Sequence, residues 1–246
     1  FLGRRLYTDV LHEKLTRDVP EVPFEVINAS VPGYTSFQGR KRLEQLLEYR
    51  PHYVCIYFGW NDHWILPSGY SDQFHYDLIH SFKLVQLTKI LWARLMDVRD
   101  YRVPLADYEA NLAAMVEQLH ANRVIPVLIG APAGYAGKGM PRWAFQVYQE
   151  YYRMTPEEIR HIPQTHQAYA EATARVAKGH KAILVDMQSL LERLNPSLKP
   201  FFRNDLIHLQ ERGHEAVADE IYNQIQSYNA ANGLTWLQLW ASQTGH

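Results

Sequence analysis

Two hydrophobic rhythms alternate along the chain. Leu2, Leu6, Val10, Leu11 and Leu15 recur at helical spacing, so 2–15 reads as an amphipathic helix. Phe24-Glu25-Val26-Ile27-Asn28 reads as a short strand, ended by the turn Pro32-Gly33. A helix over about 38–48 follows. Residues 53–58 form an unbroken apolar run, mostly β-branched and aromatic, as expected of a strand buried on both faces. Residues 107–122 predict a helix with Leu112, Met115, Val116 and Leu119 on one face. Residues 124–129 predict another buried strand, and Pro126 puts its first half near an edge or a bulge. A helix over 166–178, a strand over 182–186 and a helix over 212–228 complete the series.

Strands alternating with helices predict βαβ units and a parallel sheet covered on both faces. Two aromatic-rich stretches, 63–101 and 134–163, break the rhythm. Both leave the C-terminal ends of strands, where open α/β sheets place their ligand sites. They are expected to wall a cleft within one domain over 1–246. In the tail, 229–246, Trp236, Leu237, Leu239 and Trp240 are expected to dock on the body.

Composition narrows the function classes. The 246 residues are 47% hydrophobic and 21% charged, enough for one full-sized core. Lys and Arg number 25 against 26 Asp and Glu, so a nucleic-acid or membrane-surface role driven by net charge is disfavoured. One cysteine, Cys55, excludes an internal disulfide and a multi-cysteine metal site. No His, Asp or Glu group stands at ligand spacing on one helix, so neither metal nor cofactor is expected. No run approaches the roughly 18–20 apolar residues of a membrane span. The chain opens on Phe1 within an apparent helix, so a segment is expected ahead of it. The lack of a signal segment therefore leaves the compartment unread.

Three stretches carry candidate chemistry, each after a strand. In Asn28-Ala29-Ser30-Val31-Pro32-Gly33-Tyr34, the plain reading is a type II turn with Gly33 at the positive-φ position. The functional reading gives the Gly33 N–H to a developing oxyanion. In Gly59-Trp60-Asn61-Asp62, Asn61 and Asp62 are either turn formers or, for Asn61, a neutral amide donor to the same oxyanion. In Asp205-Leu206-Ile207-His208, the carboxylate can fold back onto the imidazole, fix its tautomer and stabilise its cation. Taken alone, Asp205 is a turn cap and His208 one of 12 histidines. Together they supply a base, its orienter and two oxyanion donors, the needs of acyl transfer.

With these motifs in this order, the chain resembles the SGNH hydrolases, the GDSL-type esterase and lipase superfamily. Gly33 matches the second block, Gly59-Trp60-Asn61-Asp62 the third, and Asp205-Leu206-Ile207-His208 the last, with Gly213-His214 and a helix trailing. The resemblance spans about 1–228. It implies His208 as general base, Asp205 as its orienter, and Gly33 and Asn61 as oxyanion donors. The first block, Gly-Asp-Ser with the serine nucleophile, occurs nowhere in the sequence. Ser30 and Ser36 follow the second strand rather than the first, and Cys55 sits mid-strand. The serine is therefore expected ahead of Phe1.

The resemblance also implies a three-layer α/β/α sandwich with flavodoxin-like strand order 2-1-3-4-5. The four visible strands would be the second to fifth, and the first, central strand would be missing. Phe24 to Asn28 should then be separated from 53–58 by one strand, about 4.8 Å from each neighbour. The implied activity is that of a serine esterase acting on an acetyl or other acyl ester of a small molecule or glycan. Alternatives are an O-acyltransferase acting on a glycan, and a non-catalytic binding domain of the same fold. Trp60, His63 and Trp64 are candidate substrate contacts. The tryptophans, with Trp92 and Trp143, fit either sugar stacking or lid packing.

Overall fold

The computed structural model describes residues 5–65, 71–79, 82–96, 100–135, 139–152 and 154–244. Leu2, in the first predicted helical face, lies outside them, as do parts of both aromatic stretches. In chain order the elements are α1 (Tyr7–Asp18), α2 (Ser36–Leu47), β1 (Tyr53–Ile56), α3 (Asp72–Ile79), α4 (Lys83–Leu95), α5 (Leu105–Ala121) and β2 (Ile125–Gly130). There follow α6 (Arg142–Tyr152), α7 (Pro156–Gly179), β3 (Ile183–Asp186), α8 (Met187–Leu194), α9 (Glu211–Ala231) and α10 (Trp236–Thr244).

The sheet is parallel, in the order β1-β2-β3 among the described residues. Side chains alternate across it with the period of two that a pleated strand imposes. Val127 and Ile129 of β2 and Ile183 and Val185 of β3 enter one core with Val10, Leu11 and Leu15 of α1 and Val217, Ile221 and Ile225 of α9. Leu128 of β2 and Ile56 of β1 face the other, with Leu43 of α2, Leu112 and Val116 of α5, and Tyr169 of α7. Helices therefore cover both faces, giving the expected α/β/α layering. Lys14 ties α1 to α9 through Asp219 at 2.8 Å and the face of Tyr222.

Pro126 sits in the middle strand without breaking it. Ile125 N–H donates to His52 O at 2.8 Å, on the β1 side, so the missing N–H of Pro126 falls on the β3 side. The β2–β3 ladder starts one residue later, at Val127 opposite Ile183. The first half of β2 is thus an edge on that side, as its proline requires.

The strand expected at 24–28 is not one. The segment has no regular secondary structure: among the described residues it joins no ladder, and the edge of β1 away from β2 joins none either. An apolar pattern can specify extended chain; only a hydrogen-bonded neighbour makes it a strand. Phe24 and Val26 pack instead on the α1–α9 core, where Phe24 meets Trp236 edge-on at 5.2 Å between centroids. Trp236 also covers Tyr53, so the tail docks through Trp236, whereas Leu237, expected to dock as well, is exposed. A cavity of about 450 Å³ lies between α1 and residues 24–26.

Helix α7 starts ten residues before the expected 166. Thr155 caps it, accepting from Glu158 N–H while the Glu158 carboxylate accepts from Thr155 N–H, with Pro156 at the first position. Pro163, which reads as a stop in sequence, lies inside the helix. The stretches 63–101 and 134–163 hold α3 and α4, and α6 with the start of α7, respectively.

Candidate active site

The Asp205–His208 turn lies between α8 and α9. Asp205 Oδ1 accepts from the backbone N–H groups of Ile207 and His208, at 2.9 and 2.8 Å, which bends the chain back on itself. Leu206 takes φ +63° inside that bend. The other carboxylate oxygen, Oδ2, lies 2.8 Å from His208 Nδ1. Nδ1 thus carries the proton it donates, and Nε2 is left as the acceptor. Burial pushes the Asp205 carboxyl up, but the ring and backbone hydrogen bonds from His208 and that from Ile207 outweigh it, and the carboxyl lies below its usual range. The hydrogen bond and charge of Asp205 raise His208 above the ordinary histidine value, against partial burial. Gly213 in α9 closes the loop: a Cβ there would lie 2.5 Å from Phe201 O.

Gly33 occupies the third position of a turn closed by Tyr34 N–H to Val31 O at 3.2 Å, with φ +81°. It is exposed, and a Cβ would meet nothing within 4 Å. The backbone angle, not crowding, therefore demands glycine. Asn61 lies in the loop after β1 and donates its side-chain amide to Tyr34 O at 3.0 Å. One bond thus joins the two predicted donors' loops, leaving the second N–H of the amide for a ligand.

Beneath them lies a polar network that the motifs do not reveal. Asp62, fully buried, accepts from Ser36 N–H at 2.8 Å and Gly59 N–H at 3.0 Å, joining the β1 loop to the start of α2. Burial pushes its carboxyl up to about 6, offset in part by Ser36, Gly59 and Arg102. Arg102 donates to Gly33 O at 2.9 Å and spans both oxygens of Asp72, at 3.2 and 3.0 Å. Asp72 also accepts from Thr35 and Gln38, at 2.8 and 2.9 Å. The stretch 63–101 and the residue after it thus brace the Gly33 turn.

Of the candidate substrate contacts, His63 is buried at 3% exposure and hydrogen-bonds His166 of α7, Nε2 to Nδ1 at 2.9 Å. His166 Nε2 donates to Ala131 O at 2.8 Å, which makes His63 the donor within the pair. Burial lowers both, His166 to about 4. Half-buried Trp60 stacks on His166 at 4.0 Å and donates to Pro132 O. Trp64, also half-buried, meets Tyr152 edge-on at 4.7 Å.

The 131–135 loop after β2 links the two halves. Pro132 O holds Trp60, while Gly134 N–H donates to Leu206 O at 2.8 Å, in the His208 turn. The three motifs are therefore linked through the loops at the C-terminal ends of β1 and β2. The in-chain substitutes for a serine nucleophile fare poorly. Ser36 is fully buried under Asn111, Ser30 bonds Asn28 locally, and burial pushes the Cys55 thiol up to about 12. Among the described residues, no group of three His, Cys, Asp or Glu residues could hold a metal.

The GDSL-like lipase/acylhydrolase family matches the chain over residues 2–216. A search of curated protein sequences gives no match. The fold is similar to that of the acetylxylan esterase Axe2 from Geobacillus stearothermophilus, at TM-score 0.60 and 18% identity, covering 90% of this chain and 81% of the esterase. It is also similar to an alpha/beta hydrolase enzyme from the metagenome of Lake Arreo, Spain, at TM-score 0.59 and 20% identity, covering 89% and 80%.

Proposed function

The chain belongs to the GDSL-like lipase/acylhydrolase family, and from that premise we propose that it is a serine esterase removing an acetyl or other acyl group from a small molecule or glycan. The observation that carries this is the 2.8 Å Asp205–His208 pair, placed at the same strand ends as the Gly33 and Asn61 loops. His208 Nε2 takes the serine proton as the serine oxygen attacks the ester carbonyl. The Gly33 N–H and the Asn61 amide hold the negative oxygen of the tetrahedral intermediate. His208 then returns the proton to the leaving alkoxide, and water repeats the sequence on the acyl-enzyme. Trp60 and Trp64 wall the acyl or sugar side.

We further propose that the serine comes from outside these 246 residues, on a strand lying between β1 and residues 24–28. Among the described residues, β1 pairs with β2 alone and residues 24–28 join no ladder. A glycan acetyl ester is the favoured substrate class, by analogy with the acetylxylan esterase of similar fold. The test is hydrolysis of p-nitrophenyl acetate and of acetylated xylo-oligosaccharide by the product of the full reading frame. Turnover that disappears in His208→Ala supports the reading. A reading frame without Gly-Asp-Ser, or turnover unchanged in that variant, overturns it.

A further inference from the structure

The strangest surface of the molecule is α4. A surface helix normally turns a polar face to water. Here Leu84 is 73% exposed, Leu87 54%, Leu91 55%, Trp92 54% and Leu95 82%, with Phe82 at 86% just before the helix. At 100° per residue, the apolar residues from 84 to 96 sweep about two-thirds of the helix circumference. A protein groove takes one face of a helix, anchored at i, i+3 or i+4, and i+7. A broad apolar arc with Lys83, Gln86, Lys89 and Arg94 on the opposite side suits a helix lying in a lipid interface instead. Its 13 residues reach only about 20 Å, too short to cross a bilayer of about 30 Å.

Charge selects the occupant. From Lys83 to Met96 the sequence contains Lys83, Lys89 and Arg94 and no acidic residue, although the whole chain carries net charge −1. Lys83 and Lys89 are exposed. Trp92 adds a ring suited to the headgroup boundary. We propose that α4 is an interfacial helix that seats the protein on an anionic lipid surface, its leucines among the acyl chains and its basic residues at the headgroups. The attraction is local to this helix and is independent of the esterase reading.

The test is co-sedimentation of the protein with phosphatidylcholine vesicles, with and without phosphatidylglycerol, at low and high salt. Binding to the anionic vesicles alone, weakened by salt, is expected. The exchange Leu87→Glu with Leu91→Glu and Leu95→Glu should abolish it with the melting temperature unchanged, because these side chains are exposed. Lys83→Glu with Lys89→Glu, which keeps the leucines and Trp92, should weaken it at least about tenfold. The proposal falls if the protein ignores both vesicles, if it binds them equally, or if the Lys double variant binds as the parent does. It also falls if light scattering shows a dimer that the leucine variant dissolves, since a second copy would then cover the helix.

Discussion

The arm that carries the proposed base closes within three residues, Asp205 to His208, whereas the arm that carries the proposed oxyanion donors is tied across 27 residues at Asn61–Tyr34 and 69 at Arg102–Gly33. The first stands at the surface, with the His208 side chain 51% exposed. The second rests on Asp62, Thr35 and Ser36, all fully buried. The first turn is shaped mainly by bonds among its own residues, with Gly134 N–H and the Tyr148 hydroxyl holding it from outside. A long-range buried network exists only when the fold is complete, so its chemistry and its stability are coupled. Substitutions should therefore separate activity from stability in the first arm and not in the second.

The largest effect is expected at His208. In the product of the full reading frame, His208→Ala should lower kcat by about 10⁴–10⁶-fold, with the melting temperature nearly unchanged. Asp205→Asn keeps an oxygen for the turn's backbone donors but loses the negative charge. Because Asp205 raises His208, the acid limb of the pH–rate profile should move to lower pH in that variant as the rate falls. An unmoved limb would detach Asp205 from the base. A large drop in melting temperature for His208→Ala would break the claim that this arm is local.

Asn61→Ala comes next. Loss of one oxyanion donor costs about 10²–10³ in kcat, and here it also cuts the bond to Tyr34 O, so a stability loss should accompany it. Arg102→Lys should cost less, about 10–100-fold in kcat with KM little changed, because a lysine cannot span Asp72 and still reach Gly33 O. Full activity in Arg102→Lys would show that the Gly33 turn holds its shape unaided. An Asn61→Ala variant with normal stability would confine that side chain to chemistry.

The same contrast explains what the sequence made legible. Asp205-Leu206-Ile207-His208 and Pro32-Gly33 could be read because their geometry is set by neighbours in the chain. Arg102, Asp72 and His166 could not, since their partners lie 30 to 103 residues away. Thr155-Pro156-Glu157-Glu158 is a readable helix start, and the helix continues through Pro163. Residues 24–28 read as a strand, but whether such a segment becomes one depends on a partner that its own letters do not specify.

The smallest effect isolates the buried arm by pH. His63 and His166 brace the loop that carries Asn61, and burial holds both neutral in the folded protein, His166 down to about 4. An unfolded histidine takes its proton near pH 6.5. Their contribution to stability is therefore complete above that pH and falls as pH drops toward 4, because the unfolded chain binds protons that the folded one refuses. Asp62 runs the opposite way: raised to about 6, it binds its proton in the folded state first and regains stability over part of the same range. Two histidines against one carboxyl leave a net acid loss. His166→Gln removes one of them and should cut the fall in stability between pH 7 and about pH 4.5 by roughly 2–3 kcal/mol, measured as urea midpoints at the two pH values. Parallel curves for parent and variant would mean that the acid sensitivity lies elsewhere. The exposed His208 adds no such loss, since its raised value favours the folded state as pH falls, so acid should weaken the oxyanion arm before the base arm.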